Sequence, residues 1–131
     1  MNLPFTSKQK RIEMSQHQKK RIVNRANRRT KFFPNEWRTR AFHKEVIRLT
    51  ERKKARMALR GAKILSISTR RQVFRTVDEY IGRREEFGEK YSGLRLENEL
   101  SHTKKLFCIQ IGEIVGKKAN KFLDVFFSVH G

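Results

Sequence analysis

The chain has 131 residues, the length of one ordinary domain, and its 32 Lys and Arg against 13 Asp and Glu give a formal charge of +19. Repulsion at this charge destabilises a compact free state, and the usual partner that relieves it is nucleic acid, with an anionic membrane a distant second. The single cysteine, Cys108, excludes an internal disulfide framework and a multi-cysteine zinc site. The apolar content of 37%, which includes ten Phe, is enough to expect that part of the chain folds.

The positive charge is concentrated in the first 75 residues. Residues 1–31 hold ten basic residues and one acid, and residues 32–75 hold thirteen basic residues and three acids. Residues 76–131 hold nine of each and are neutral overall. We therefore expect a basic N-terminal half that binds a polyanion, followed by an ordinary globular segment.

Residues 1–34 are predicted to be a basic extended arm that is disordered when free. The centre of this arm, QKKRIVNRANRRTK at 18–31, contains seven Lys and Arg and no acid. Its few apolar side chains show no sustained period, so the arm has little surface to bury. A short helix near 9–28 stays open, because Gln, Lys and Arg are good helix formers.

Residues 35–131 are predicted to form a small helical domain of three to four helices, so that the chain is mainly α. An amphipathic helix is expected from about 36 to 60. A second helix is expected over 70–87, with a capping box that begins at Thr69 and with Gly88 just after its end.

The C-terminal third has two open interpretations. Apolar residues aligned on one face predict a helix from about 94 to 115, followed by a short helix that contains Phe122 and Phe126. The alternative is a β-hairpin, in which a strand FLDVFFSV pairs with the apolar run LFCIQI at 106–111. Periodicity does not separate a short buried strand from a buried helix segment, and we favour the helices.

No motif predicts catalysis, a cofactor or a metal site. The four His are not at metal-ligand spacing, and Cys108 lies in an apolar run that favours a buried structural thiol. The glycines form neither a Walker motif nor a dinucleotide-binding fingerprint. Adjacent acids such as Asp78 and Glu79 point in different directions on a helix. We therefore expect no enzyme activity, no cofactor and no small-molecule substrate.

Basic residues without interspersed acids are the candidate phosphate contacts. Between Arg52 and Arg75 there are nine basic residues and no acid, whereas an ordinary solvated helix face carries both signs. Lys and Arg on phosphates release condensed counterions, and Arg also stacks on the bases of irregular RNA. The predicted RNA-binding residues are Lys19, Lys20, Arg21, Arg25, Arg28, Arg29, Lys31, Arg38, Arg40, Arg52, Lys53, Lys54, Arg56, Arg60, Lys63, Arg70 and Arg71.

Three aromatic residues, Phe32, Phe33 and Trp37, adjoin the basic arm and have two interpretations. In the first, they stack on unpaired bases, with Phe33 and Trp37 as the candidate residues. In the second, which the sequence favours, they pack as a hydrophobic staple that anchors the helix start and the arm to the core.

A basic arm joined to a small neutral body is the general architecture of ribosomal proteins. We therefore expect a structural protein that binds rRNA through its N-terminal half and neighbouring ribosomal proteins through its C-terminal half, in a mitochondrial or cytoplasmic ribosome. Neither a membrane span nor the apolar centre of a signal peptide is visible, so we expect no membrane partner and no secretion. The alternatives are a DNA-binding or chromatin protein, a viral nucleocapsid protein and, less favoured, a metal-dependent nucleic-acid-processing enzyme.

Overall fold

Helices make up most of the chain that the structure describes. This computed structural model describes residues 11–130. Its helices are α1 (Gln16–Thr30), α2 (Asn35–Gly61), α3 (Ile67–Lys90), α4 (Gly93–Val115) and α5 (Ala119–Ser128), with a 3₁₀ turn at Gly116–Lys118 between the last two. Two short strands, β1 (Ile12–Glu13) and β2 (Val129–His130), pair in parallel. The predicted mainly α class, with four helices after residue 34, is confirmed.

The predicted basic arm is helical over residues 16–30. The Ser15 hydroxyl accepts a hydrogen bond from the Gln18 N–H at 3.1 Å, and the Gln18 side chain accepts one from the Ser15 N–H at 2.9 Å, which forms a capping box. Ala26 and Thr30 are buried where α1 packs on α2. The extended conformation was therefore wrong for residues 16–30, where the short helix that the sequence left open near 9–28 is found. A capped run of good helix formers with two small residues to bury accounts for it.

The helix at residues 16–30 leaves two parts of the arm prediction untested: the conformation of residues 1–10 and the disorder of the arm in the free protein. Residues 1–10 lie outside the described part of the chain. That the arm is disordered in the free protein stays a prediction. In the structure Met14 is buried and its N–H donates to the His130 carbonyl at 3.0 Å, next to the β1–β2 pair, while Ala26 and Thr30 supply only a small contact between α1 and α2.

The hydrophobic core lies among α2, α3, α4 and α5. Its central ring is Phe107 of α4, which stacks on Tyr80 of α3 with ring centroids 4.4 Å apart and lies 5.2 Å from Phe126 of α5. Phe122 completes this aromatic group at 5.9 Å from Phe126. The core cluster begins at Ala55 and contains no described residue of α1. The body is therefore built without the basic helix.

The predicted start and end of α3 were each wrong by about one turn. The cap is Ser66, whose hydroxyl accepts from the Thr69 N–H at 3.3 Å, and the helix begins at Ile67. At the other end, Gly88 lies inside the helix, which continues to Lys90. Both errors have a local cause, because more than one Ser, Thr or Gly near a boundary satisfies the same capping rule.

The C-terminal third is helical, as the favoured interpretation predicted. The run at 106–111 lies within α4, where Phe107, Cys108 and Ile111 are buried and Ile109 is exposed. This spacing of buried residues is helical. The segment proposed as the second hairpin strand is α5 and ends in β2, which pairs with β1 rather than with 106–111.

Candidate nucleic-acid interface

Helices α1 and α2 form an antiparallel hairpin that brings two basic surfaces together. The connection at 31–34 is short, and an ion pair of 3.4 Å between Arg29 and Glu45 joins the two helices. Between them lies a groove of about 540 Å³. Its basic lining residues, which we call the basic groove, are Arg21, Arg25 and Arg28 from α1 and Lys53 and Arg56 from α2.

The basic groove has no acid that neutralises it within the described chain. None of its five cations forms an ion pair with a carboxylate of residues 11–130. Burial lowers the pKa of Lys53, and the nearby charges of Arg56, Arg60 and Arg21 lower it further. A lowered pKa means that the protonated side chain is destabilised where it lies, and a bound anion would relieve that cost.

Arg56 lies where arginines from three helices meet. Burial lowers its pKa, followed by the charges of Arg52, Arg25 and Arg70, which lie on α2, α1 and α3. Its guanidinium also lies 6.0 Å from the centre of the Phe74 ring on α3. Because Arg56 belongs to the basic groove and also neighbours Arg70, the positive surface continues from α1 across α2 onto α3.

A second and more open depression of about 580 Å³ lies between α2 and α3. The side chains that line it are Arg52, Arg71, Phe74, Arg75, Asp78 and Glu79. Here Arg52 approaches Asp78 at 3.9 Å and lies 5.1 Å from the centre of the Phe74 ring. The two acids make this depression a weaker anion site than the basic groove.

Several predicted phosphate contacts are instead engaged with acids. These ion pairs are Arg29 with Glu45 at 3.4 Å, Arg40 with Glu89 at 2.8 Å, Arg52 with Asp78 at 3.9 Å and Lys54 with Glu51 at 3.2 Å. Lys54 is the most enclosed of them, with a side chain 15% exposed and an ammonium 4.9 Å from the centre of the Phe126 ring. Lys54 therefore packs against the body rather than facing a ligand.

The other predicted contacts divide by position. Lys19, Lys20, Lys31, Arg38, Arg60, Lys63 and Arg70 lie outside the lining of both cavities. Lys63 lies two residues after the end of α2 in a left-handed conformation with φ of 55°, and its carbonyl accepts a hydrogen bond from the Lys118 ammonium at 2.7 Å. Arg38 donates to the carbonyls of Lys31 and Phe33, so it holds the connection between α1 and α2.

Sequence reasoning missed two polar residues of the groove, Gln18 and Asn24. The signal was present, because Gln18, Arg21, Arg25 and Arg28 follow one another at intervals of three, four and three residues. That interval places all four on one face of a helix. It is informative only if 16–30 is recognised as helical.

The aromatic residues at the connection face solvent. Phe32, Phe33 and Trp37, which we call the aromatic tip, are 86%, 45% and 58% exposed. The favoured hydrophobic staple was therefore wrong. The reason is geometric: the end of α3 contacts α2 through Glu89, which pairs with Arg40 at 2.8 Å, and the tip lies beyond that point.

Comparison of the chain with protein-family models, with curated proteins and with solved structures finds no match in any of the three. Within residues 11–130, no three His, Cys, Asp or Glu side chains are grouped so that they could hold a metal ion. None of the helices in this range is long and apolar enough to cross a membrane. The features that bear on function are therefore the basic groove, the arginines around Arg56 and the aromatic tip.

Proposed function

We propose that the protein is a structural RNA-binding component of a ribosome, and that its basic N-terminal half binds rRNA phosphates. The observation that carries this proposal is the basic groove. Five cations from two helices converge there, and no carboxylate among residues 11–130 pairs with them. A nucleic-acid backbone supplies a row of anions, and each neutralised phosphate releases condensed counterions that favour binding.

The kind of cation supports RNA as the polyanion. Of the 32 basic residues 17 are Arg, and four of the five cations of the basic groove are Arg: Arg21, Arg25, Arg28 and Arg56. A guanidinium binds phosphate through two parallel hydrogen bonds and also stacks on bases. Both properties suit the irregular backbone of a folded RNA.

The neutral C-terminal half supports a second contact, with neighbouring proteins of the same particle. On α4, Leu94, Leu106 and Ile109 are exposed although the opposite face of that helix is buried in the core. Exposed apolar side chains on a segment without net charge suit a protein neighbour better than RNA. The basic and neutral halves would then face different partners.

Gradient sedimentation of a native lysate tests the proposal. The protein should migrate with a ribosomal subunit, stay there in moderate salt and be released by RNase. Separation of mitochondria before the gradient assigns the compartment. Migration as a small free species would contradict the proposal, release by DNase instead of RNase would favour a chromatin protein, and a particle that lacks rRNA would favour a nucleocapsid.

A further inference from the structure

The aromatic tip is held in place although it is exposed. Arg38 donates hydrogen bonds to the carbonyls of Lys31 and Phe33, and the Phe33 N–H donates to the Thr30 carbonyl at 3.1 Å. The Lys31 ammonium lies 4.9 Å from the centre of the Phe32 ring. These contacts fix the connection between α1 and α2, so the rings are presented from an ordered turn.

The surroundings of the tip are positive. Lys31 and Arg38 flank the rings, Arg28 precedes them by one turn of α1, and none of the three forms an ion pair with a described carboxylate. The nearby acid is Glu36. An apolar protein segment would cover the rings and leave these cations unneutralised. A nucleotide supplies both a flat aromatic base and a phosphate.

The tip also lies close to the basic groove. Phe33 follows Arg28 of the groove by five positions, and α1 ends between them at Thr30, so the two residues lie at most roughly 18 Å apart along the chain. Successive phosphates of a stacked strand rise by about 3.4 Å, so about five nucleotides or fewer cover this distance. One strand can therefore place phosphates in the groove and a base at the tip.

We propose that the aromatic tip stacks on an unpaired base of the RNA whose phosphates occupy the basic groove, with Trp37 and Phe33 as the stacking residues. This inference rests on the proposed function and makes it more specific. The bases of a continuous duplex are paired and stacked internally, so their faces are not accessible to Trp37. The ligand class is therefore single-stranded or looped RNA.

Fluorescence of Trp37 provides a direct test, because it is the one tryptophan in the chain. The full chain is titrated with a single-stranded RNA of about 12 nucleotides, a duplex of the same length and heparin. The single strand should quench Trp37 on binding. The duplex should quench it much less, and heparin should bind without quenching because it has charge but no bases.

Substitutions separate stacking from apolar contact. Trp37→Ala and Trp37→Leu should each weaken binding of the single strand about 5- to 100-fold, measured by anisotropy of labelled RNA, whereas Trp37→Phe should retain most of the affinity. Circular dichroism should show the same fold for all three, since Trp37 is exposed.

The outcomes distinguish the two proposals. RNA binding without quenching, with unchanged affinity in Trp37→Ala, would overturn stacking and leave the proposed function intact. Equal quenching by heparin would also overturn stacking, because it would report charge alone. Failure of the unaltered chain to bind either RNA would overturn the proposed function itself.

Discussion

Arg29 of α1 and Glu45 of α2 approach to 3.4 Å, and this ion pair connects the basic helix to the body. Glu45 also accepts a hydrogen bond from Arg48 at 2.8 Å. The hydrogen bond from Arg48 is the main cause that lowers the pKa of Glu45, burial opposes it, and the charges of Arg48 and Arg29 add to the lowering. One carboxylate thus holds cations from both helices of the hairpin.

Stability should depend on Glu45 in a pH-dependent way. The folded pKa lies below the unfolded value of about 4.3, so the stabilisation is fully present above about pH 5 and is lost as the pH falls through the folded pKa. Glu45→Gln should cost about 1 kcal/mol at pH 7, and the difference from the unaltered chain should shrink below about pH 4. Urea unfolding at both pH values measures it.

Glu97→Gln is the matched control, since Glu97 is exposed, lies beyond the first turn of α4 and forms no ion pair with a described cation. It should change stability by less than about 0.5 kcal/mol at either pH. Equal stability of Glu45→Gln and the unaltered chain at pH 7 would show that the carboxylate does not stabilise the hairpin.

Deletion of residues 1–31 should leave a folded body and abolish tight RNA binding. The core cluster begins at Ala55, so α2 to α5 keep their packing, while the basic groove loses Arg21, Arg25 and Arg28. Circular dichroism and a thermal melt should show a helical, cooperatively unfolding chain. Unchanged RNA affinity would contradict the proposal that the basic groove binds RNA. An unfolded product would contradict the assignment of the hydrophobic core to α2–α5.

Replacing Phe107, the central ring of the core, with a smaller side chain should destabilise the fold. Phe107 is buried against Tyr80 and Phe126, so Phe107→Ala should lower the free energy of unfolding by about 3–5 kcal/mol. Phe107→Leu should cost less and keep the chain folded for comparison. Phe42→Ala should cost less than half as much as Phe107→Ala, because Phe42 is partly exposed and its ring contact is with His43. Equal losses of unfolding free energy for Phe42→Ala and Phe107→Ala in urea denaturation would show that the two rings are similarly buried.

The sequence predicted those helices whose buried face is made of large apolar residues. In α4, apolar residues aligned on one face, among them Phe107 and Ile111, favoured a helix from about 94 to 115 over the hairpin, and the observed span is Gly93–Val115. In α1, the buried residues are Ala26 and Thr30, which carry almost no hydrophobic signal. The remaining signals were the run of good helix formers, which left a short helix near 9–28 open, and the Ser15 and Gln18 capping box, which is local and easily overlooked in a basic run.

The sequence predicted which basic residues belong to the candidate site, but not how the fold arranges them. The five cations of the basic groove were all among the expected contacts, but so were Arg40 and Lys54, which pair with acids. Arg40 and Glu89 are 49 residues apart, so no local pattern connects them. Exposure of Trp37 likewise depends on where α3 ends, which is a property of the packed fold.

The salt dependence of RNA binding tests the central claim most directly. The affinity of the full chain for a single-stranded RNA is measured over a series of salt concentrations, for the unaltered protein, Arg56→Gln and Arg95→Gln. Both variants lose one charge, but Arg56 lines the basic groove and Arg95 lies on α4 beside Tyr91 and Glu99. Arg56→Gln should weaken binding and reduce the slope of log affinity against log salt by about 0.7, whereas Arg95→Gln should leave the slope unchanged. Equal effects of the two substitutions would mean that binding follows net charge alone and would contradict the basic groove as the RNA-binding surface.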